Sequence, residues 1–230
     1  MRRLRILEGM ATPRVRKTTG EAADGNRAAL LHLRRVDPIL YKAAVKHAAQ
    51  VRDFSSAGKR YGNQKLFAAL AGSVTGQQLS TKAADTIWGR LEVACGGVVT
   101  PEAIKRLRLP TMRKAGLSAA KSKTLKELAK AVLSGDLDLG KLRKLPEEEA
   151  IAKLTKIWGI GTWTAEMFLI FALGRADVFS PGDLALVRAM ETLYGMPKNS
   201  KRDVYLAIAE KWSPHRSFAS LVLWRTRDTD

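Results

Sequence analysis

The chain has 230 residues, 46% of them apolar, with 40 lysines and arginines against 22 acids, a formal charge of +18, and a single cysteine. Such a length and apolar content fill one large domain or two small lobes sharing a core, and the charge suits a polyanionic partner whose condensed counterions are released on binding, nucleic acid first. One cysteine, Cys95, excludes an intrachain disulfide framework, a four-cysteine iron–sulfur site and a cysteine-rich zinc site. His32, His47 and His215 are scattered, so no tightly held metal is expected. No apolar run has transmembrane length and the N-terminus lacks a signal-peptide core, so a cytoplasmic chain with no membrane partner is expected.

Residues 1–27 mix seven basic residues with three acids and show no sustained apolar period, which reads as a flexible basic tail of charge 7 − 3 = +4. The remaining +14 belongs to a folded domain over 28–230, whose pattern is all-α: helical periods separated by turn signals, with no convincing alternating strand. Helices are predicted over 37–51, 63–77, 81–94, 101–107, 111–115, 119–134, 138–142, 146–157, 162–173, 181–194, 201–211 and 216–225. Ser80 precedes "TKAADTIWGRL" as an N-cap. Residues 101–144 hold twelve basic residues and four acids, a net +8 that reads as a solvated helical face.

The segment "LTKIWGIGTWTAEMFLIFALGRADVFSPGDLAL", 154–186, is the most informative. The helix before it opens with Pro146 and three glutamates, carries Ile151, Leu154 and Ile157 on one side, and ends at Gly159. In "GIGTW", Gly159 and Gly161 permit positive φ and close backbone approach, Ile160 anchors the turn in the core, and Thr162 is expected to cap the next helix. A glycine hairpin between two helices presents backbone N–H groups near a helix N-terminus, where a phosphate oxygen can sit. A plain αα-turn with glycine C-caps explains the same letters, and the basic balance favours phosphate. "TWTAEMFLIFAL" is apolar on nearly every side and must run through the core. Asp183 falls in the first turn of the helix opened by Ser180 and Pro181; there it either complements the helix dipole or serves as a catalytic carboxylate beside a developing cation.

In that order of hairpin, core helix and acid the sequence resembles the helix–hairpin–helix DNA glycosylase superfamily, and most closely its alkylpurine branch, the DNA-3-methyladenine glycosylase II type. The resemblance covers about 67–227; "AGSVTGQQLSTKAA", "AGLSAAKSKTL" and "KWSPHRSFASLVLW" are similar to family segments in the family order. It implies two helical lobes with a cleft between them, into which a damaged nucleotide is flipped from double-stranded DNA by a monomer. It also implies that Asp183 is the essential catalytic aspartate at the lip of the base pocket, that Gly159, Ile160, Gly161 and Thr162 hold the backbone beside the lesion, and that Trp163 stacks on the extruded base. By resemblance no cofactor is needed, although the hairpin admits a monovalent cation. Within the "GQQLS" turn the resemblance implies a side chain that fills the gap left by the flipped base, with Gln78 as candidate and Leu79 and Ser80 as alternatives.

Departures from the family pattern also carry meaning. Bifunctional relatives place a Schiff-base lysine where Trp163 stands, so a monofunctional enzyme is implied. The cysteine cluster of the endonuclease III branch is absent, and residues 1–60, too few and too basic, are not expected to form the N-terminal β-sheet lobe of the longest relatives. His215, in "WSPHRS", replaces a common Trp or Tyr of the substrate pocket. Two rival readings stand beside this one: a non-enzymatic helix–hairpin–helix DNA-binding module, and a glycosylase for a non-alkylated base such as uracil.

Overall fold

Among the described residues, 26–51 and 62–227 of a computed structural model, every regular element is helical and none is a strand, as the sequence predicts. The helices divide into two units. One contains α3 (Asn63–Gly76), α4 (Thr81–Ala94), α5 (Pro101–Arg106), α6 (Leu109–Lys114), α7 (Ala119–Leu133), a 3₁₀ turn at Lys141–Lys144, α8 (Glu147–Thr155) and α9 (Thr162–Phe171). The other contains α1 (Arg27–Val36), α2 (Pro38–His47), a 3₁₀ turn at Ala48–Gln50, α10 (Leu184–Tyr194), α11 (Arg202–Glu210) and α12 (Arg216–Thr226).

In the first unit α9 is the central helix: every residue from Thr164 to Phe171 is buried, as its all-round apolar sequence requires. It packs against α3 and α8, and α3 is itself buried almost continuously from Leu66 to Thr75. Helix starts are capped where the sequence places hydroxyls. Ser80 Oγ accepts from Ala83 N at 3.3 Å, Thr100 Oγ1 from Ala103 N at 3.1 Å, and Ser118 Oγ from Lys121 N at 3.2 Å. The end of α5 is closed by Lys126 of α7, whose Nζ donates to the carbonyls of Lys105 and Leu107.

The second unit is organised around buried carboxylates. Asp37 Oδ1 accepts from Leu40 N at 2.9 Å at the start of α2, while Oδ2 accepts from Tyr194 OH at 2.5 Å and Trp212 Nε1 at 2.8 Å. Burial, and then the Asp37 charge, push the Tyr194 hydroxyl far above the usual tyrosine range, so it remains a donor. Glu191 Oε1 accepts from Asn199 N at 2.6 Å and Tyr205 OH at 2.8 Å, and Oε2 pairs with Arg188 at 2.6 Å. The C-terminal half of α10 is thereby fixed within this unit.

Several elements differ from expectation. Residues 1–25 of the expected tail lie outside the described residues, but Asn26 and Arg27 belong to the fold: Asn26 is buried and donates to Val51 O at 3.1 Å, and α1 starts at Arg27. Helix α1 lies outside the predicted helices, although Ala29 and Leu33, four apart, form its buried side. The predicted 37–51 helix is interrupted after His47 and tightens into a 3₁₀ turn. Over 138–142 an Asx turn replaces the start of a helix, since Asp138 Oδ1 accepts from Gly140 N and Lys141 N at 3.0 and 3.1 Å. Among the described residues no helix is long and apolar enough to cross a membrane.

Candidate active site

After α8, with Glu147, Glu148 and Glu149 in its first turn, the chain closes by bonds from Ile157 N to Leu154 O and from Ile160 N to Ile157 O. Gly159 adopts φ +84°, and a Cβ there would stand 2.0 Å from Thr124 Oγ1 of α7, so both backbone and packing require glycine. Gly161 differs from expectation: its φ of −90° and ψ of 172° are ordinary extended backbone, and a Cβ there would meet nothing within 4 Å. Ile160 is buried and anchors the hairpin, while Gly159, Gly161 and Thr162 face solvent. Thr162 does not cap α9; it is the first helical residue, and Gly161 occupies the cap position without a side-chain bond. The solvent-facing start of α9 is therefore covered by no capping side chain, which is the condition for an oxyanion to approach it. Trp163, second in α9, is half-buried. Nearby, Lys123 Nζ lies 4.2 Å from the ring centroid of the exposed Trp158.

The "GQQLS" turn belongs to the same unit and is tied to the hairpin by a residue the sequence reading passed over. Gln77 Nε2 donates to Gly159 O at 3.3 Å and to Thr164 Oγ1 at 3.1 Å. Of the three wedge candidates, Gln78 is exposed with φ +56°, Leu79 is half-buried, and Ser80 Oγ is engaged in capping α4. Nothing in the local sequence betrays the Gln77 contacts, which join positions more than eighty residues apart.

The other unit carries the acid. Asp183 lies one residue before α10 instead of inside it; the predicted start at Pro181 is a turn, closed by Asp183 N donating to Ser180 O at 3.1 Å. Its side chain is buried, and Oδ1 accepts from Leu186 N at 2.9 Å and from Trp224 Nε1 of α12 at 3.2 Å. His215 occupies the cap position of the same α12, its ring 5.5 Å from that of His32 in an edge-on arrangement, while His32 Nε2 donates to Lys211 O at 2.9 Å. Burial, reinforced by His32 and opposed by Asp177, lowers the His215 pKa, so its ring is neutral at neutral pH. Beside it, Asp177 holds Arg216 Nε at 2.8 Å and Ser213 Oγ at 2.8 Å; burial alone would raise this carboxyl, but these donors bring it below the usual range. Trp224 and His32 lie outside the predicted site, although Trp224 closes the segment "KWSPHRSFASLVLW".

Known proteins are similar to this chain in sequence and fold. The chain is similar to the DNA-3-methyladenine glycosylase 1 of Schizosaccharomyces pombe, 36% identical over 199 residues that make up 85% of each protein. A solved structure of the S. pombe 3-methyladenine DNA glycosylase in complex with abasic DNA matches with a TM-score of 0.74 and 35% identity, over 87% of this chain and 97% of that one. A DNA-3-methyladenine glycosidase from Bacillus halodurans matches with the same TM-score of 0.74 and 32% identity, over 89% and 91%. Residues 71–214 match the model of the HhH-GPD superfamily base excision DNA repair proteins, and with more than half of its length inside that match the chain belongs to this family.

Proposed function

We propose that this protein is a monofunctional DNA glycosylase that removes alkylated purines of the 3-methyladenine type from double-stranded DNA by base flipping and hydrolysis of the N-glycosidic bond, as a step of base excision repair. The observation that carries this reading is the buried Asp183 carboxylate, fixed by Leu186 N and Trp224 Nε1, in a chain that also presents an uncapped glycine hairpin and has relatives named 3-methyladenine glycosylases. Its DNA substrate places the protein with the chromosome, in the cytoplasmic nucleoid.

The chemistry asks little of an acid. A 3-alkylated adenine carries formal positive charge, so the departing base takes the bonding electron pair and becomes neutral without prior protonation. The Trp163 face attracts the cationic ring. As the bond breaks, the sugar acquires oxocarbenium character, which the ionised Asp183 stabilises. Water then adds its oxygen to C1′ and releases a proton, leaving an abasic site in an unbroken strand. The hairpin amides hold the backbone without reading sequence, and Gln78 occupies the gap in the stack.

Chromatography of the free bases released from methylated duplex DNA tests the reading: 3-methyladenine is expected in the soluble fraction. Its absence, with uracil released from uracil-containing duplex, would overturn the substrate class, and release of no base at all would leave a DNA-binding module. In the same reaction borohydride is expected to trap nothing, because Trp163 offers no amine for an imine. A lysine-linked protein–DNA adduct would reverse that conclusion.

A further inference from the structure

Residues 76–79 form a four-residue turn closed by Leu79 N donating to Gly76 O at 3.2 Å. Gln77 has φ −50° and ψ 131°, and Gln78 has φ +56°. These are the angles of a type II turn, whose third position ordinarily belongs to glycine. Holding a glutamine there strains the backbone, and such strain persists only where surrounding structure over-determines it. Half a turn of the peptide between Gln77 and Gln78 would give a type I turn, in which Gln78 rests at negative φ. That flip is marked by one atom above all, the Gln77 carbonyl oxygen, which reverses its direction.

Lys121 of α7 holds that atom. Its Nζ donates to Gln77 O at 2.8 Å and to Thr75 O, in the last turn of α3, also at 2.8 Å. A cation at a helix C-terminus is favoured by the dipole, and a charged donor makes roughly twice the bond of a neutral one. Burial lowers the Lys121 pKa, consistent with an ammonium withdrawn from solvent and committed to two carbonyls. The same helix carries Thr124, which packs against Gly159, so α7 supports both the turn and the hairpin.

We propose that Lys121 is a positioning residue: by gripping the Gln77 carbonyl it fixes the plane of the 77–78 peptide and keeps Gln78 in the left-handed conformation from which it enters the DNA stack. The proposal rests on the reading of Gln78 as the inserted side chain. It assigns this lysine no phosphate.

The test compares Lys121→Met, Gln78→Ala and the double variant with enzyme in excess over an alkylated duplex, together with undamaged-duplex affinity across a salt series. Lys121→Met is expected to excise on the order of 10-fold more slowly, as misplacement of a group that must act in register does. Its affinity for undamaged duplex and the salt slope are expected to stay at wild-type values, and adding it to Gln78→Ala should cost less than about 2-fold more, because both act on one event. A salt slope reduced by about one would mean that Lys121 contacts a phosphate instead, and multiplicative losses in the double variant would mean independent roles; either overturns the proposal. A slow Gln78→Ala beside an unimpaired Lys121→Met removes the clamp alone, whereas Gln78→Ala at the wild-type rate removes the wedge reading and the proposal with it. Should the methionine variant not fold, Lys121→Gln, neutral and too short to span both carbonyls, gives the same readings.

Discussion

Asp183→Asn is expected to fold normally, bind alkylated duplex at least as tightly as wild type, and excise on the order of 10²-fold more slowly or worse in single turnover, a barrier increase of about 2.7 kcal/mol or more. The structural half of this expectation follows from the two bonds on Oδ1. An asparagine oxygen in the same place still accepts from Leu186 N and Trp224 Nε1, so the start of α10 keeps its cap and its link to α12. What disappears is the charge. A side chain that served only as a cap would barely notice, with a melting temperature and turnover close to wild type. A carboxylate that stabilises positive charge on the sugar loses that function entirely, while removal of a negative charge near bound polyanionic DNA favours binding. Excision by Asp183→Asn within a few-fold of wild type would return the residue to helix capping.

Gly159→Ala and Gly161→Ala should behave very differently, although the letters are the same and the positions two apart. At Gly159 the new methyl would meet Thr124 Oγ1 at 2.0 Å and its Cβ and Cγ2 at 3.1 Å, at a φ of +84° that alanine rarely adopts. Overpacking and the left-handed backbone together cost about 2–4 kcal/mol, a loss of very roughly 5–15 °C in melting temperature for a chain of this length. Thr124→Ala in the same protein should recover the packing part and leave the backbone part. At Gly161 neither obstacle exists, so the alanine variant is expected to melt like wild type. Any loss of affinity there must come from the DNA side, where the methyl intrudes on the approach of a phosphate to the start of α9. A drop on the order of 10-fold for damaged and undamaged duplex alike is expected, the size of about one lost charged hydrogen bond. An unchanged affinity for both duplexes would remove the phosphate role from the hairpin.

Local patterns carried most of the fold and much of the site. The apolar circumference of α9, the hydroxyl before α4, the glutamates opening α8 and the buried Ile160 between two glycines are each decided by residues within a few positions of one another. Where the reading departs from the structure, a tertiary or turn effect intervened. Helix α1 hides behind arginines that resemble the segment before it, and its buried Ala29 and Leu33 acquire meaning only once α2 packs against it. Pro181 is a sound helix opener, but Gly182 follows it and the chain makes one more turn before Asp183 caps α10. That a side chain would clash at Gly159 but not at Gly161 depends on Thr124, thirty-five residues from Gly159 in sequence. Likewise, no periodicity could announce that Lys121 and Gln77 bind backbone carbonyls instead of solvent, or that Trp224 reaches Asp183.

In the proposed catalytic role, the hold on Asp183 also bears on how lesions are told from normal bases. Two donors on one oxygen keep the carboxylate from rotating about Cβ–Cγ unless both bonds break, and at the far end of α10 Tyr194 is tied to Asp37 while Glu191 is held by Arg188, Asn199 and Tyr205. A charge oriented before the substrate arrives needs no reorganisation during bond cleavage, so it contributes its full field to any sugar placed beside it. It cannot, however, adapt to the identity of the base. An immobile anion accelerates the departure of whatever is presented by a similar factor, and the outcome follows the intrinsic lability of the bond: a cationic alkylpurine leaves during its residence, an ordinary purine returns to the helix intact. Fidelity in such an enzyme is a contest of lifetimes, set by the chemistry of the damage.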